Sequence, residues 1–176
     1  MDITRLRFRG VEDEIVTALL CTPADQTGPF PLVVAVHGLG SNKAQVRGQV
    51  APALAKRGFA VLAPDRPLHG ERPGRPHALF ERKDFVGAIR NHRQAVINVR
   101  QMIHVAQTLP EVDAARGIVF VGYSMGSWIG SIAGAADGRV VAMVLMVGGV
   151  TELAHARLIP PSVSYTHLTL PTTPYV

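Results

Sequence analysis

The chain has 176 residues, of which 47% are hydrophobic and 18% charged, a composition typical of one globular domain and not of a disordered chain. Its single cysteine, Cys21, excludes a disulfide framework and a multi-cysteine metal site. The net charge of +5 comes from scattered Lys and Arg without interleaved aromatics, so no nucleic-acid partner is expected. The longest apolar run, from Val140, is too short to span a membrane, and the absence of a signal peptide pattern predicts a cytoplasmic protein.

Strand-like and helix-like periodicities alternate along the chain, which is the pattern of an α/β sheet. Strands are predicted at residues 3–9, 14–21, 31–38, 59–65, 117–124 and 140–149. Helices are predicted at residues 45–58, 84–109 and 125–136, and Gly58 is the expected C-cap of the first. Because several strands lack polar alternation, we expect a mostly parallel sheet with helices on both faces and Cys21 buried in a strand.

Three arginines, Arg66, Arg72 and Arg75, lie in the proline-rich segment DRPLHGERPGRP. A charge cluster in such a loop is typical of a solvated surface. The sequence therefore predicts that these arginines are exposed.

The segment GYSMG, Gly122 to Gly126, lies where a buried strand is predicted to end and a helix to begin. A serine in such a turn is strained, and the flanking glycines let the strand and the helix approach closely. The helix directs its N-terminal dipole and the Met125 amide toward negative charge that develops at Ser124. The pattern predicts that Ser124 is a catalytic nucleophile on a nucleophile elbow.

A second glycine-rich segment, HGLGSN, begins at His37 and follows another predicted strand. Its Leu39 or Gly38 amide is a candidate to complete an oxyanion hole with the amide of Met125, and His37 and Gly40 are expected to support the turn. A plain strand-to-helix turn is the alternative. The segment matches neither a P-loop, which needs the Gly-Lys-Ser/Thr ending, nor a dinucleotide fingerprint, which needs a third glycine.

The segments HGLGSN, FAVLAPDRPLHGER and VGYSMGSW follow one another in an order and spacing that resembles the α/β-hydrolase family, across about residues 14–150. Within that family the chain is similar to bacterial esterases of the dienelactone-hydrolase and acyl-esterase kind. The resemblance implies hydrolysis of carboxylic esters through an acyl-enzyme, without a cofactor or a metal ion. It also implies that Asp65 and His69 organise the loop at the mouth of the site.

Ser124 needs a base and an acid, which the family places on loops after later strands. After Ser124 the sequence offers Asp137, Glu152, His155 and His167. Asp137 comes too soon and is interpreted as a turn residue, while His155 is interpreted as part of a surface helix. His167 then remains as the candidate base.

His167 lies in the segment VSYTHLTLPTTPYV, which has neither charge nor glycine and differs from the rest of the chain. Its first part, VSYTHLTLPT, resembles letter for letter the translation of a transposon-type sequencing adaptor. We therefore expect residues 1–161 to be a truncated hydrolase core and residues 162–176 to be non-native sequence. In this interpretation the chain carries the nucleophile without its acid and histidine.

Two functions are compatible with these residues. The first is a serine hydrolase acting on a small-molecule carboxylic ester, present here as an inactive fragment. The second is a non-catalytic α/β-hydrolase-like binding module, which the missing acid and histidine favour if the tail is native. Thioesterase, peptidase and perhydrolase activities share the elbow, and the acyl group and the oligomeric state stay open.

Overall fold

The computed structural model of the chain describes residues 1–76 and 85–148. The strands in this part are β1 Asp2–Arg9, β2 Ile15–Thr22, β3 Leu32–Val36, β4 Ala60–Pro64, β5 Ile118–Tyr123 and β6 Val140–Met146. The helices are α1 Lys43–Gln49, α2 Ala51–Ala55, α3 Phe85–Ala106 and α4 Met125–Ala135. The domain boundary expected after residue 161, together with Glu152, His155 and His167, lies outside the described residues.

The strands form one sheet in the order β1-β2-β4-β3-β5-β6. β2 pairs antiparallel with both β1 and β4, whereas β4, β3, β5 and β6 run parallel to one another. β3 lies inside the sheet, and all of its residues are buried because its apolar run is covered on both faces. The predicted α/β fold with a mostly parallel sheet is confirmed.

Apolar side chains fill both faces of this sheet. α3 and α4 cover one face, where the buried side chains include Phe120, Met102, Ile103 and Ile129. α1 and α2 cover the other face, where the cluster includes Val33, Val46, Ala51 and Val61. Cys21 is buried in this second cluster, as predicted. No helix in residues 1–76 and 85–148 has the length and apolar character needed to cross a bilayer.

The single helix predicted at residues 45–58 is two helices in the structure. α1 begins two residues earlier, because the Asn42 side chain accepts hydrogen bonds from two amides of its first turn. Pro52 lies in the first turn of α2, a position that suits a residue without an amide hydrogen and that interrupts a continuous helix. Gly58 follows with φ of 83°, the left-handed conformation expected of a residue that closes a helical segment.

α4 packs closely on the sheet because small residues line its inner face. A Cβ atom on Gly130 would lie 1.9 Å from the ring of Phe120, and one on Gly134 would lie 2.4 Å from the sulfur of Met143. Glycine in a helix costs about 1 kcal/mol relative to alanine. The close approach of α4 to β5 and β6 explains why the sequence tolerates this cost.

Replacing Gly130 with alanine is expected to lower the free energy of unfolding by about 1–3 kcal/mol, because the new methyl group overpacks the core against Phe120. Gly48→Ala is the matched control, since a Cβ at Gly48 in α1 meets no atom within 4 Å. This control variant should be as stable as the parent chain or slightly more stable. Urea denaturation followed by circular dichroism compares them, and equal stability of the two variants would contradict the packing argument.

Candidate active site

Ser124 lies in the turn between the end of β5 and the start of α4, with backbone angles φ of 51° and ψ of −119°. A non-glycine residue in such a sparsely populated region costs about 1–3 kcal/mol. The flanking glycines let β5, α4 and β3 approach one another closely. A Cβ on Gly122 would lie 2.7 Å from the Gly126 carbonyl oxygen, and a Cβ on Gly126 would lie 2.2 Å from the Val36 carbonyl oxygen. The segment GYSMG therefore has the tight strand-to-helix turn that its sequence predicts.

The neighbouring strand β6 holds this turn in place. The Ser124 amide donates a hydrogen bond to the Met146 carbonyl at 2.7 Å. The buried Ser127 hydroxyl lies 2.9 Å from the same carbonyl oxygen and 2.9 Å from that of Gly122. Ser127 is a supporting residue that was not predicted, although a serine three residues after the nucleophile, on the inner face of α4, is visible in the sequence.

The amide of Met125 is available at the start of α4. The first amides of a helix have no partner inside the helix, and no side chain caps α4. Within residues 1–76 and 85–148, the Met125 amide donates to no other group. Together with the helix dipole, it favours negative charge next to Ser124.

The loop that follows β3 lies beside Ser124, as the sequence predicts. A Cβ atom on Gly38 would lie 3.2 Å from the Cβ of Ser124 and 3.3 Å from the Tyr123 carbonyl oxygen. Gly40 has φ of 72°, which favours glycine, and its amide donates to His69 Nε2 at 3.3 Å. The Gly40 amide is therefore in use, whereas the amides of Gly38 and Leu39 donate to no group in the described part of the chain.

The two buried histidines near this loop have one defined tautomer each. The Nδ1 atom of His37 donates to the Gly38 carbonyl at 2.8 Å, and that of His69 donates to the Pro67 carbonyl at 2.8 Å. Their Nε2 atoms accept hydrogen bonds, from the Arg66 amide at 3.4 Å for His37 and from the Gly40 amide for His69. Burial lowers the pKa of His37 to about 4 and also lowers the pKa of His69. Both rings are consequently neutral at pH 7.

Asp65 is a buried acceptor at the end of β4. Its carboxylate accepts hydrogen bonds from the Thr17 hydroxyl at 3.0 Å, the Lys43 amide at 2.9 Å and the Glu71 amide at 3.1 Å, and it forms an ion pair with Lys43. Burial alone raises the pKa of Asp65, but the hydrogen bonds from Lys43 and Glu71 outweigh it and hold that pKa below its usual value. Gly70 is required here, because a Cβ on it would lie 2.1 Å from the carboxylate.

The prediction that the arginines after β4 form a solvated surface is wrong for two of the three. Arg66 and Arg72 are buried, and only Arg75 is exposed. Arg72 forms an ion pair with Glu14 and donates to the Asn98 side chain at 2.7 Å. Both buried arginines have partners far away in sequence, which a local pattern does not reveal.

The described residues do not supply a base for Ser124. His37 and His69 use both ring nitrogens for hydrogen bonds within the loops after β3 and β4, so neither ring is available to the Ser124 hydroxyl. Asp137 follows the far end of α4, where its carboxylate binds Arg139 at 2.6 Å, and hydrogen bonds from Arg139 lower its pKa. No group of three or more His, Cys, Asp or Glu side chains in this part of the chain could hold a metal ion.

A cavity of about 120 Å³ lies beside the loop after β3. It is lined by residues of β3, α1, β5 and β6, including Tyr123 and Met146, and by Gly38 and Ser41 of the loop after β3. Pockets that enclose drug-sized ligands measure about 300–1,000 Å³. The cavity is smaller than that range and Ser124 is not among its lining residues, so it adjoins the nucleophile without enclosing it.

Asp65→Asn is expected to destabilise the chain by up to about 3–5 kcal/mol, because it removes the buried carboxylate beside Lys43 and leaves the partly exposed Glu71 as the remaining counter-ion. Asp13→Asn is the matched control, since Asp13 forms an exposed ion pair with Arg9 at 2.5 Å. The control should cost less than about 1 kcal/mol. Guanidinium denaturation of the two variants measures the difference. Similar losses of stability in both would contradict the structural role of Asp65.

His37 makes the stability depend on pH on the acidic side of neutrality. The unfolded chain binds a proton at His37 near pH 6.5, whereas the folded chain does so only near pH 4. The free energy of unfolding should therefore fall as the pH drops from 6.5 to 4, by up to about 3 kcal/mol for this group. An NMR titration of the imidazole C–H resonances checks the cause, and a His37 midpoint near 6.5 would contradict it.

The comparisons with known proteins agree with this geometry. A model of the Alpha/beta hydrolase family matches residues 33–174. No curated protein sequence matches the chain. A hypothetical protein from Pseudomonas aeruginosa has a similar structure, with 26% identity and a TM-score of 0.67 over 82% of this chain and 43% of that protein.

Two solved esterases share the fold. A cold-adapted esterase from an Arctic intertidal metagenomic library has 22% identity and a TM-score of 0.71 over 93% of this chain and 70% of its own. A thermostable carboxyl esterase from Bacillus coagulans has 19% identity and a TM-score of 0.57 over 82% of this chain and 44% of its own. The chain thus spans less than half the length of the Pseudomonas and Bacillus proteins. Because the family match extends over most of the sequence and the fold is shared, the chain belongs to the alpha/beta hydrolase family.

Proposed function

We propose that this chain is the nucleophile-bearing part of a serine hydrolase that cleaves carboxylic esters of small molecules. The observation that carries the proposal is the backbone of Ser124, which is held at φ of 51° between a buried strand and a helix start. A strained serine at the carboxyl edge of a parallel sheet, with unpaired amides beside it, suits nucleophilic attack on a carbonyl group.

The reaction follows from these groups. Ser124 Oγ attacks the carbonyl carbon of the ester as its proton passes to a base, and the carbonyl oxygen becomes an oxyanion. The Met125 amide and the amide of Leu39 or Gly38 donate hydrogen bonds to that oxyanion. The tetrahedral intermediate collapses, the alcohol leaves with the proton from the base, and water then hydrolyses the acyl-enzyme to release the acid.

The base and the acid of this mechanism are proposed to lie outside residues 1–161, in a longer form of the gene. Two observations support this part of the proposal. His37 and His69 are committed to hydrogen bonds within the loops after β3 and β4, and the chain spans 43% of the Pseudomonas aeruginosa protein that it resembles in structure. A serine without its base keeps oxyanion stabilisation and binding, which leave only about 10³–10⁴-fold catalysis over water.

Hydrolysis of a short-chain aryl ester tests the proposal. The 176-residue chain should show almost no turnover, and its His167→Ala variant should behave identically. A longer gene product recovered from the source DNA should hydrolyse the ester, and Ser124→Ala in that product should lower kcat by at least about a thousandfold. Ser131→Ala is the matched control, because among the described residues the Ser131 hydroxyl donates to the Trp128 carbonyl within α4 and not to the site.

Three results would contradict parts of the proposal. Robust activity of the 176-residue chain that disappears in His167→Ala would refute the truncation and identify His167 as the base. Activity of the longer product that survives Ser124→Ala would refute the role of the serine. A longer product without activity and without a later acid and histidine would favour the non-catalytic binding module.

A further inference from the structure

Arg66 is a buried cation that forms no ion pair in the described part of the chain. Its side chain is 3% exposed, and no carboxylate of residues 1–76 and 85–148 lies within ion-pair distance. Burial lowers the pKa of Arg66 to about 10, so the guanidinium keeps its charge at neutral pH. Burying a charge without a counter-ion is unfavourable unless dipoles of neutral groups surround it. The role of this arginine can therefore be inferred from the groups that accept its hydrogen bonds.

Those acceptors belong to the loop after β3 and to its support. The Nη2 atom of Arg66 donates to the Gly38 carbonyl at 3.1 Å and to His69 Nε2 at 2.9 Å. The same Nε2 atom accepts the Gly40 amide at 3.3 Å. One guanidinium nitrogen thus bonds directly to Gly38, the first glycine of the loop. It is also linked to Gly40, the second glycine, through the His69 imidazole.

The peptide bond between Gly38 and Leu39 links Arg66 to the oxyanion site. In a planar trans peptide, the amide N–H of Leu39 points opposite to the carbonyl of Gly38. Because Arg66 and His37 hold that carbonyl, they also fix the direction of the Leu39 N–H, which faces away from the guanidinium. A cation on the carbonyl polarises the peptide and makes its N–H a stronger donor.

We propose that Arg66 is a positioning residue that orients and polarises the Gly38–Leu39 peptide, so that the Leu39 amide is the second oxyanion donor beside Met125. This inference rests on the proposed function of Ser124. It assigns a role to an arginine that touches neither the nucleophile nor the substrate carbonyl, and it selects Leu39 over Gly38 as the donor. Lysine at this position is one bond shorter and cannot reach both acceptors from an unchanged backbone.

The first test uses NMR on the 176-residue chain and does not depend on hydrolysis. In the unaltered chain, His69 should be a neutral imidazole protonated on Nδ1, with Nε2 as an acceptor. In Arg66→Met the amide resonances of Leu39 and Gly40 should shift and their hydrogen exchange should accelerate at least about tenfold, and Arg66→Lys should be intermediate. Arg139→Gln is the control, because Arg139 bonds to Asp137 and Gln107 beyond the far end of α4, so it should leave the loop resonances in place.

The second test measures aryl-ester hydrolysis by the form of the protein that shows Ser124-dependent activity. Arg66→Met should lower kcat at least about tenfold while KM changes by less than about threefold, since the lost interaction acts on the transition state. Arg66→Lys should recover part of the loss.

The two tests distinguish failure of the proposed function from failure of the positioning role. If no form shows Ser124-dependent hydrolysis, the proposed function is wrong, while the NMR measurement still decides whether Arg66 orients the loop. The positioning role is overturned if His69 is protonated on Nε2 in the unaltered chain. It is also overturned if Arg66→Met folds with unchanged Leu39 and Gly40 resonances, or if it raises KM alone.

Discussion

The segments around the candidate active site depend on the hydrogen bonds that the buried carboxylate of Asp65 accepts. It joins three separate segments, because it accepts hydrogen bonds from β2 through Thr17, from the start of α1 through Lys43 and from the loop after β4 through Glu71. The Thr17 hydroxyl and the Lys43 amide, both of buried residues, would be left unpaired in the interior without it. The loop that begins at Asp65 carries the guanidinium and the imidazole that hold the glycine-rich segment after β3, so one acceptor positions the support of the candidate oxyanion site.

Two neutral imidazole rings lie next to a buried cation in this support. The imidazoles of His37 and His69 are 5.2 Å apart, and Arg66 donates to both residues, through its amide or its side chain. Protonation of either ring would replace an acceptor by a donor and would place like charges together in a medium of low dielectric constant. Burial and the guanidinium therefore act in the same direction, and they keep both rings in the form that can accept.

Much of the fold was predictable because its signals are local. Runs such as LVVAV identify buried strands, and GYSMG identifies the elbow, since both depend on neighbouring residues. The interruption between α1 and α2 could also have been inferred from Pro52. The burial of Arg66 and Arg72 could not, because it depends on Gly38 and on Glu14, which lie 28 and 58 residues away in sequence. A proline-rich loop with arginines has the same local pattern whether it is solvated or folded onto the sheet edge.

The elbow itself shows why the nucleophile and its base can be specified by different parts of a sequence. The strain at Ser124 is balanced by bonds to the Met146 carbonyl and by the Ser127 hydroxyl, all within the described residues. The loop that carries the candidate oxyanion donors is likewise held by Arg66, His37 and His69, which bond to its backbone and do not act on the serine proton. A base acts only on the serine proton and can come from any loop that reaches the same sheet edge. The geometry that holds the serine and the neighbouring amides can therefore form within the described residues, independently of the group that removes the serine proton.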